Sequence, residues 1–231
     1  MSPPQTSYKP IRRKPAHETL EKMLLAAEEQ LREEELDAFT IQNVLRRSGL
    51  SVGAFYSRFP DKTALLYEIQ KRVHERADAN ILADLEAATG RTESLEEAVG
   101  IGFEALIRHV LSEREIFRAL MMITVFEPVL KERGEQYNQI REQALLALLA
   151  PHLDEIRHVD PKRAIGSAYA IYSGTMRGRL TYYCAPDDAQ FGVTEDVLFR
   201  DLKQSLALFL RGPEKPAPRS TRPSKPREAT K

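Results

Sequence analysis

Five histidines, His17, His74, His109, His152 and His158, and one cysteine, Cys184, are the residues best suited to ligate a metal or to act as base or nucleophile. Their spacing does not assemble such chemistry. There is no His-Glu-x-x-His zinc pair, no Gly-x-Ser-x-Gly elbow and no phosphate-binding glycine loop. His152 and His158 stand six apart around Asp154, a poor spacing for a metal, and read as loop surface. A single cysteine excludes an intramolecular disulfide and leaves any zinc site to histidine and carboxylate. Cys184 is expected in the core or an interface. The expectation is no cofactor, no metal and no enzyme.

A different constellation occupies Thr40 to Phe59, which reads TIQNVLRRSGLSVGAFYSRF. It has the form of two short helices joined at Ser48, Gly49 and Leu50. Thr40 can cap the first, and Gly49 supplies the left-handed backbone angle of a sharp inter-helix turn. Ile41, Val44, Leu45, Leu50, Phe55 and Phe59 are spaced as one apolar seam. The opposite surface carries Gln42, Asn43, Arg46, Ser51, Gly53, Ala54, Tyr56 and Arg58, with Lys62 following. Gly53 and Ala54 near the start of the second helix let its backbone sink into a major groove, where short side chains reach base edges. Hydroxyls and cations around them would hold phosphates.

Charge supports a polyanion at this place. Lys plus Arg and Asp plus Glu are 34 each, so the chain is neutral overall. The distribution is uneven. Residues 1–16 carry Lys9, Arg12, Arg13 and Lys14 without an acid, residues 212–231 also carry +4, and the body between is −8. Within that acidic body, Thr40 to Lys62 is +3. Local charge, rather than the total, decides where a polyanion docks. Lys9, Arg12, Arg13 and Lys14 form an arm placed to enter an adjacent minor groove.

The elements that must position these groups are all helical. Apolar residues recur at three and four through the body, beginning with Leu20, Met23, Leu24, Ala27 and Leu31. Helices are expected at about 40–47, 51–57, 62–88, 93–111, 113–126, 128–150, 161–184 and 194–210, nine with the first. Thr194 is expected to cap the last. Of 14 prolines, four lie in residues 1–16 and five in 212–231, so both ends are read as disordered, the second as a basic proline-rich tail. The fold class is all-α: a three-helix helix-turn-helix DNA-binding domain at 17–70 and a larger helical domain at 71–211. No apolar run approaches the roughly 18 residues of a membrane span, and no secretory leader is apparent, so a cytoplasmic protein without membrane contact is expected.

The segment resembles the DNA-binding domain of the TetR (tetracycline-repressor-like) family. The matching residues are Thr40, then Ser48, Gly49, Leu50 and Ser51, then Gly53, Tyr56, Phe59, Lys62, Leu65 and Leu66, with Ala26 and Ala27 in the preceding helix. The resemblance spans roughly residues 20 to 70. It implies phosphate contacts from Thr40, Tyr56 and Lys62, and base contacts from Gln42, Ser51, Val52, Gly53 and Ala54. It also implies a homodimer on double-stranded, palindromic DNA, a transcriptional regulator of repressor type, and a small-molecule effector. Three positions depart from the pattern: Leu31 stands for a common Phe, Glu35 for the usual Gly, and Leu45 for a common Ala. Glu35 leaves the route from Glu33 to Phe39 open. A helical protein-interaction module is the alternative, and it leaves the Thr40 to Lys62 pattern unexplained.

In the larger domain, Gly166, Ala170, Ser173, Gly174 and Gly178 form a small-residue strip, and Leu198, Leu202, Leu206 and Phe209 stripe the last helix. Paired with their copies, these two helices would make a four-helix dimer interface. Phe103, Ile107, Phe117, Met121, Thr124, Tyr169, Tyr172 and Met176 are candidates to line an effector cavity, with Tyr137, Arg141, Tyr172 and Arg177 as its polar groups. Plain core packing is the competing reading of each. A largely apolar effector would act by favouring a conformation whose recognition helices no longer match successive grooves, roughly 34 Å apart.

Overall fold

The computed structural model describes residues 14–33, 38–182 and 192–212. Nine α-helices form among them. The first, α1 (Lys14–Glu33), begins inside the segment expected as a disordered arm. Pro15 does not prevent this, because a proline in the first turn loses no hydrogen bond and its fixed φ suits a helix. Lys14 is therefore the first residue of α1. Lys9, Arg12, Arg13, Glu35, Cys184 and the tail after Gly212 lie outside the described residues. Leu20, Met23, Leu24, Ala27 and Leu31 are all buried, as their spacing requires.

Two short helices follow, α2 (Ile41–Ser48) and α3 (Val52–Tyr56). The Thr40 hydroxyl accepts from the Asn43 amide at 3.2 Å, and Ser51 does the same for Ala54 at 3.2 Å. Gly49 takes φ 67°, which lets its N–H and that of Leu50 both reach the Leu45 carbonyl and reverse the chain. A β-carbon would be strained there. Asp61 caps α4 (Lys62–Ala88), a helix that contributes buried Leu65, Leu66 and Ile69 at one end and Val73, Ala77, Ile81 and Leu85 at the other.

The larger layer comprises α5 (Leu95–Leu111), α6 (Arg114–Thr124), α7 (Pro128–Leu149), α8 (Pro161–Tyr182) and α9 (Glu195–Arg211). Helix α4 packs on α5 and α7, α5 packs on α9, and α6 bridges α1 and α8. The α5–α7 contact is close because residue 102 is glycine. A β-carbon there would lie 2.6 Å from Leu145 Cδ1. Between α7 and α8 a 3₁₀ turn, Ala150–Glu155, was not anticipated. His152 pins it, its ring bonded to Thr92 Oγ1 at 2.8 Å and Glu155 Oε1 at 2.9 Å. His152 is buried and His158 is half-buried against the Phe209 carbonyl, so neither is plain loop surface. Thr194 stands at the start of α9 in extended conformation, but its hydroxyl caps nothing.

Ion pairs tie the layers together. Glu113, just before α6, accepts from Arg76 Nε of α4 at 2.6 Å and from Arg32 Nη2 of α1 at 2.9 Å. Arg72 and Arg76 also hold the buried Glu28 of α1. Arg114 at the start of α6 and Arg179 near the end of α8 clamp the buried Glu195.

Candidate nucleic-acid interface and ligand cavity

The geometry of α2 and α3 follows from their seam. Val44, Leu45, Phe55 and Phe59 are buried, and the Phe55 and Phe59 rings meet at 5.7 Å. With that face fixed, α3 must present the other one. Val52 is 58% and Tyr56 57% exposed, unusual values for large apolar and aromatic residues. Gln42, Arg46, Ser51 and Gly53 are exposed beside them, with Ala54 and Arg58 half-buried. The space around a β-carbon at Gly53 is empty except for Ser51 Oγ at 3.9 Å, so the backbone of α3 is open to close approach. Thr40 and Lys62 flank this surface, both exposed. Lys62 Nζ rests on the Phe39 carbonyl at 3.5 Å and over its ring at 6.0 Å, a weak hold that a phosphate can replace.

Asn43 does not join this surface as expected. Its amide donates to the Ala38 carbonyl at 2.9 Å, and its oxygen accepts from Arg46 at 3.3 Å. It anchors the entry to α2, a role that helical spacing alone does not distinguish from surface contact.

A cavity of about 670 Å³ lies among α4, α6, α7 and α8. Phe117, Met121, Thr124, Arg141, Tyr172, Met176 and Arg177, all candidates from the sequence, line it. Phe103, Ile107, Tyr137 and Tyr169 do not. Phe103 and Ile107 are buried in the core, with the Phe103 ring 5.5 Å from Tyr172. Tyr169 is buried, its hydroxyl donating to Asn138 at 3.2 Å, and Tyr137 stacks on His74 at 4.2 Å. The cavity also takes Gln70, His74 and Asn138, which the sequence reading missed. The available signal was that Gln70 and His74 stand four apart, on one face of α4.

At its inner end Arg141 donates to Asp78 Oδ1 at 2.5 Å and to His74 Nδ1 at 2.9 Å. Burial, then the charges of Arg141 and Arg133, hold His74 well below the usual histidine range, so it is neutral. Burial raises the Asp78 carboxyl, against the pull of Arg141. Tyr172 is buried and its phenol is pushed far up by that burial.

The expected dimer strip divides. Ser173, Gly174 and Gly178 border the cavity. Gly166 faces the Glu142 side chain of α7 within the chain, a β-carbon there lying 2.8 Å from Glu142 Oε1. Leu202 and Leu206 are buried against the chain's own core, and Phe209 is packed against it. Ala170 and Gly174 stay exposed on α8, as do Ile171 and, on α9, Leu208, with Leu198 half-buried. Among the described residues no histidine, cysteine and carboxylate cluster fit for a metal occurs, and no helix is long and apolar enough to cross a membrane.

The fold and its exposed short helix are those of a helix-turn-helix DNA-binding fold. Residues 23–69 match the family model "Bacterial regulatory proteins, tetR family", so in this segment the chain is similar to that family's DNA-binding domain. No curated protein matches it in sequence. Solved structures share the fold along the chain. A transcriptional regulator from Rhodococcus sp. Rha1 is 16% identical with a TM-score of 0.61, covering 83% of this chain and 96% of its own. GusR of Salmonella enterica is 18% identical, TM-score 0.56, covering 84% and 96%. NalD of Pseudomonas aeruginosa, described as the secondary repressor of the MexAB-OprM multidrug efflux pump, is 21% identical, TM-score 0.57, covering 83% and 96%.

Proposed function

We propose that this regulator is a homodimeric repressor that reads a palindromic operator through α3 and leaves it when a small, largely apolar effector enters the cavity. The observation that carries the DNA half is the exposure of Val52, Gly53 and Tyr56 on a helix whose other face is locked by Phe55 and Phe59. Gln42, Ser51, Val52, Gly53 and Ala54 approach bases, while Thr40, Tyr56, Arg58 and Lys62 hold phosphates. The exposed Ala170, Ile171, Gly174 and Leu208 support α8 and α9 as the face that meets a second copy.

Release is supported by the position of α6. It lines the cavity with Phe117 and Met121, and it begins beside Glu113, which holds Arg32 of α1 and Arg76 of α4. An effector that prefers a shifted α6 therefore biases the placement of the DNA-binding helices. Selection of bound DNA from a random pool tests the reading directly. The expected product is a palindrome with half-sites about one helical turn apart; absence of any enriched sequence refutes it. Transcription from the selected site, with and without the protein, then distinguishes repression from activation.

A further inference from the structure

Two buried guanidinium groups stand at and behind the cavity wall, Arg141 lining it and Arg133 behind the lining residue Gln70, and of the two only Arg141 has a carboxylate partner among the described residues. Arg133 and Arg141 are 5% and 4% exposed. Arg141 has Asp78 as its partner. Arg133 has no carboxylate within ion-pair distance among the described residues; it donates to Gln70 Oε1 and the Tyr67 carbonyl, each at 3.2 Å, and leans on the Tyr67 ring. Gln70, so held, is itself a lining residue. The nearby Glu68, whose carboxyl burial raises, has Lys71 at 3.9 Å as its ion-pair partner rather than Arg133. An unpaired buried guanidinium is costly, and a bound anion would relieve that cost.

His74 adds a donor. It is buried and lines the cavity. Its ring is fixed by stacking on Tyr137 and an edge contact with Phe117. Nδ1 accepts from Arg141, so the single proton of the neutral ring sits on Nε2, which has no partner among the described residues. Phe117, Leu120, Met121 and Met176 make the remaining wall apolar. Lys131 and Arg177 stand at the rim against Glu135 alone.

We infer that the cavity takes a carboxylate amphiphile: one anionic group at Arg141 and His74 Nε2–H, within the field of Arg133, and a compact apolar body along Phe117, Met121 and Met176. This rests on the cavity being the effector site. A neutral ligand would leave the Arg133 charge uncompensated, and an ammonium ligand would face three lining cations.

Titration calorimetry of the full chain with two matched sets tests the inference. One set is octanoate, octanamide and octylammonium; the other is 2-naphthylacetate, its amide and 2-naphthylethylammonium. In at least one set the carboxylate should bind about tenfold or more tighter than the amide, with the ammonium weakest. An amide or ammonium that equals the carboxylate, or no carboxylate binding up to about 1 mM, overturns it. His74→Phe keeps the ring packing and should lower the carboxylate-to-amide ratio severalfold; an unchanged ratio in a folded variant also overturns the inference. Arg141→Met, checked for folding by circular dichroism, should abolish the preference, and a retained preference refutes it. DNA release is read separately. A carboxylate that binds without releasing DNA upholds the ligand class and refutes the induction reading, whereas a neutral probe that binds tighter and releases DNA does the reverse.

Discussion

Replacing Glu113 by Gln removes the charge on which α1, α4 and α6 converge. Glu113 accepts two charge-assisted hydrogen bonds, from Arg76 at 2.6 Å and from Arg32 at 2.9 Å, and its side chain is 14% exposed. Fully desolvated bonds of this kind contribute about 1.5–3 kcal/mol each. The two guanidinium side chains are 36% and 37% exposed, so solvent screening reduces each to about 1 kcal/mol. The glutamine retains part of the hydrogen bonding, and Glu113→Gln should cost about 1–2 kcal/mol. For a chain of this size that lowers the melting midpoint by about 2–8 °C. The loss should shrink in 1 M salt, where the screening length falls to about 3 Å.

The same residue gives a pH signature. Burial alone would raise its carboxyl, but the bonds from Arg76 and Arg32 outweigh burial and hold it below the usual glutamate range. A depressed carboxyl stabilises the fold above the unfolded pKa, and that contribution disappears as the pH falls through the folded value. Wild type should therefore lose stability on acidification below the ordinary glutamate range more steeply than Glu113→Gln. The assay is thermal unfolding at fixed protein concentration across pH, combined with a double-mutant cycle with Arg32→Met. A coupling energy below about 0.3 kcal/mol, or identical acid limbs, would refute the reasoning.

Lys62→Met should weaken binding to every DNA sequence alike and lower the salt slope by about 1, measured by fluorescence anisotropy against salt. Gly102→Ala places a methyl group 2.6 Å from Leu145 Cδ1 and should cost about 1–3 kcal/mol in urea unfolding. Glu195→Ala strands the buried Arg114 and Arg179 and should cost about 3–5 kcal/mol; a loss below 1 kcal/mol would show the clamp to be replaceable. For His74, whose depressed folded pKa leaves it neutral, stability is present above the unfolded value and declines as the pH falls below it. His74→Phe should flatten unfolding curves between about pH 7 and 5.

The geometry of the helix-turn-helix was legible because its determinants are local. Thr40, Ser51 and Asp61 each cap a helix three residues downstream of their hydroxyl or carboxylate, and the bend needs only Gly49. Asn43 escaped because its partner, Ala38, lies outside the helical register. The larger domain was legible in helix number and extent, since those follow from periodicity and the prolines at positions 128 and 161. Its inner chemistry was not. Leu202 and Leu206 make the same stripe whether the neighbour is this chain or a copy, and Tyr169 has the same spacing whether it meets a cavity or Asn138. The ion pairs Arg32–Glu113 and Arg114–Glu195 each join residues 81 apart, beyond any local pattern.

Helix α4 gives its first two turns to the core under the helix-turn-helix and the rest to the core around the cavity, and both sets of side chains belong to one continuous apolar cluster. The helix-turn-helix is thus not a detachable module. A fragment ending near Gln70 would lose the continuation of its own longest helix, the carboxylate of Glu113 for Arg32, and the partners of Glu28 on Arg72 and Arg76. Heat should melt the chain in one cooperative transition. Mutations that loosen the distant cavity should then lower DNA occupancy simply by depleting the folded population, so occupancy measurements need to be normalised to the folded fraction.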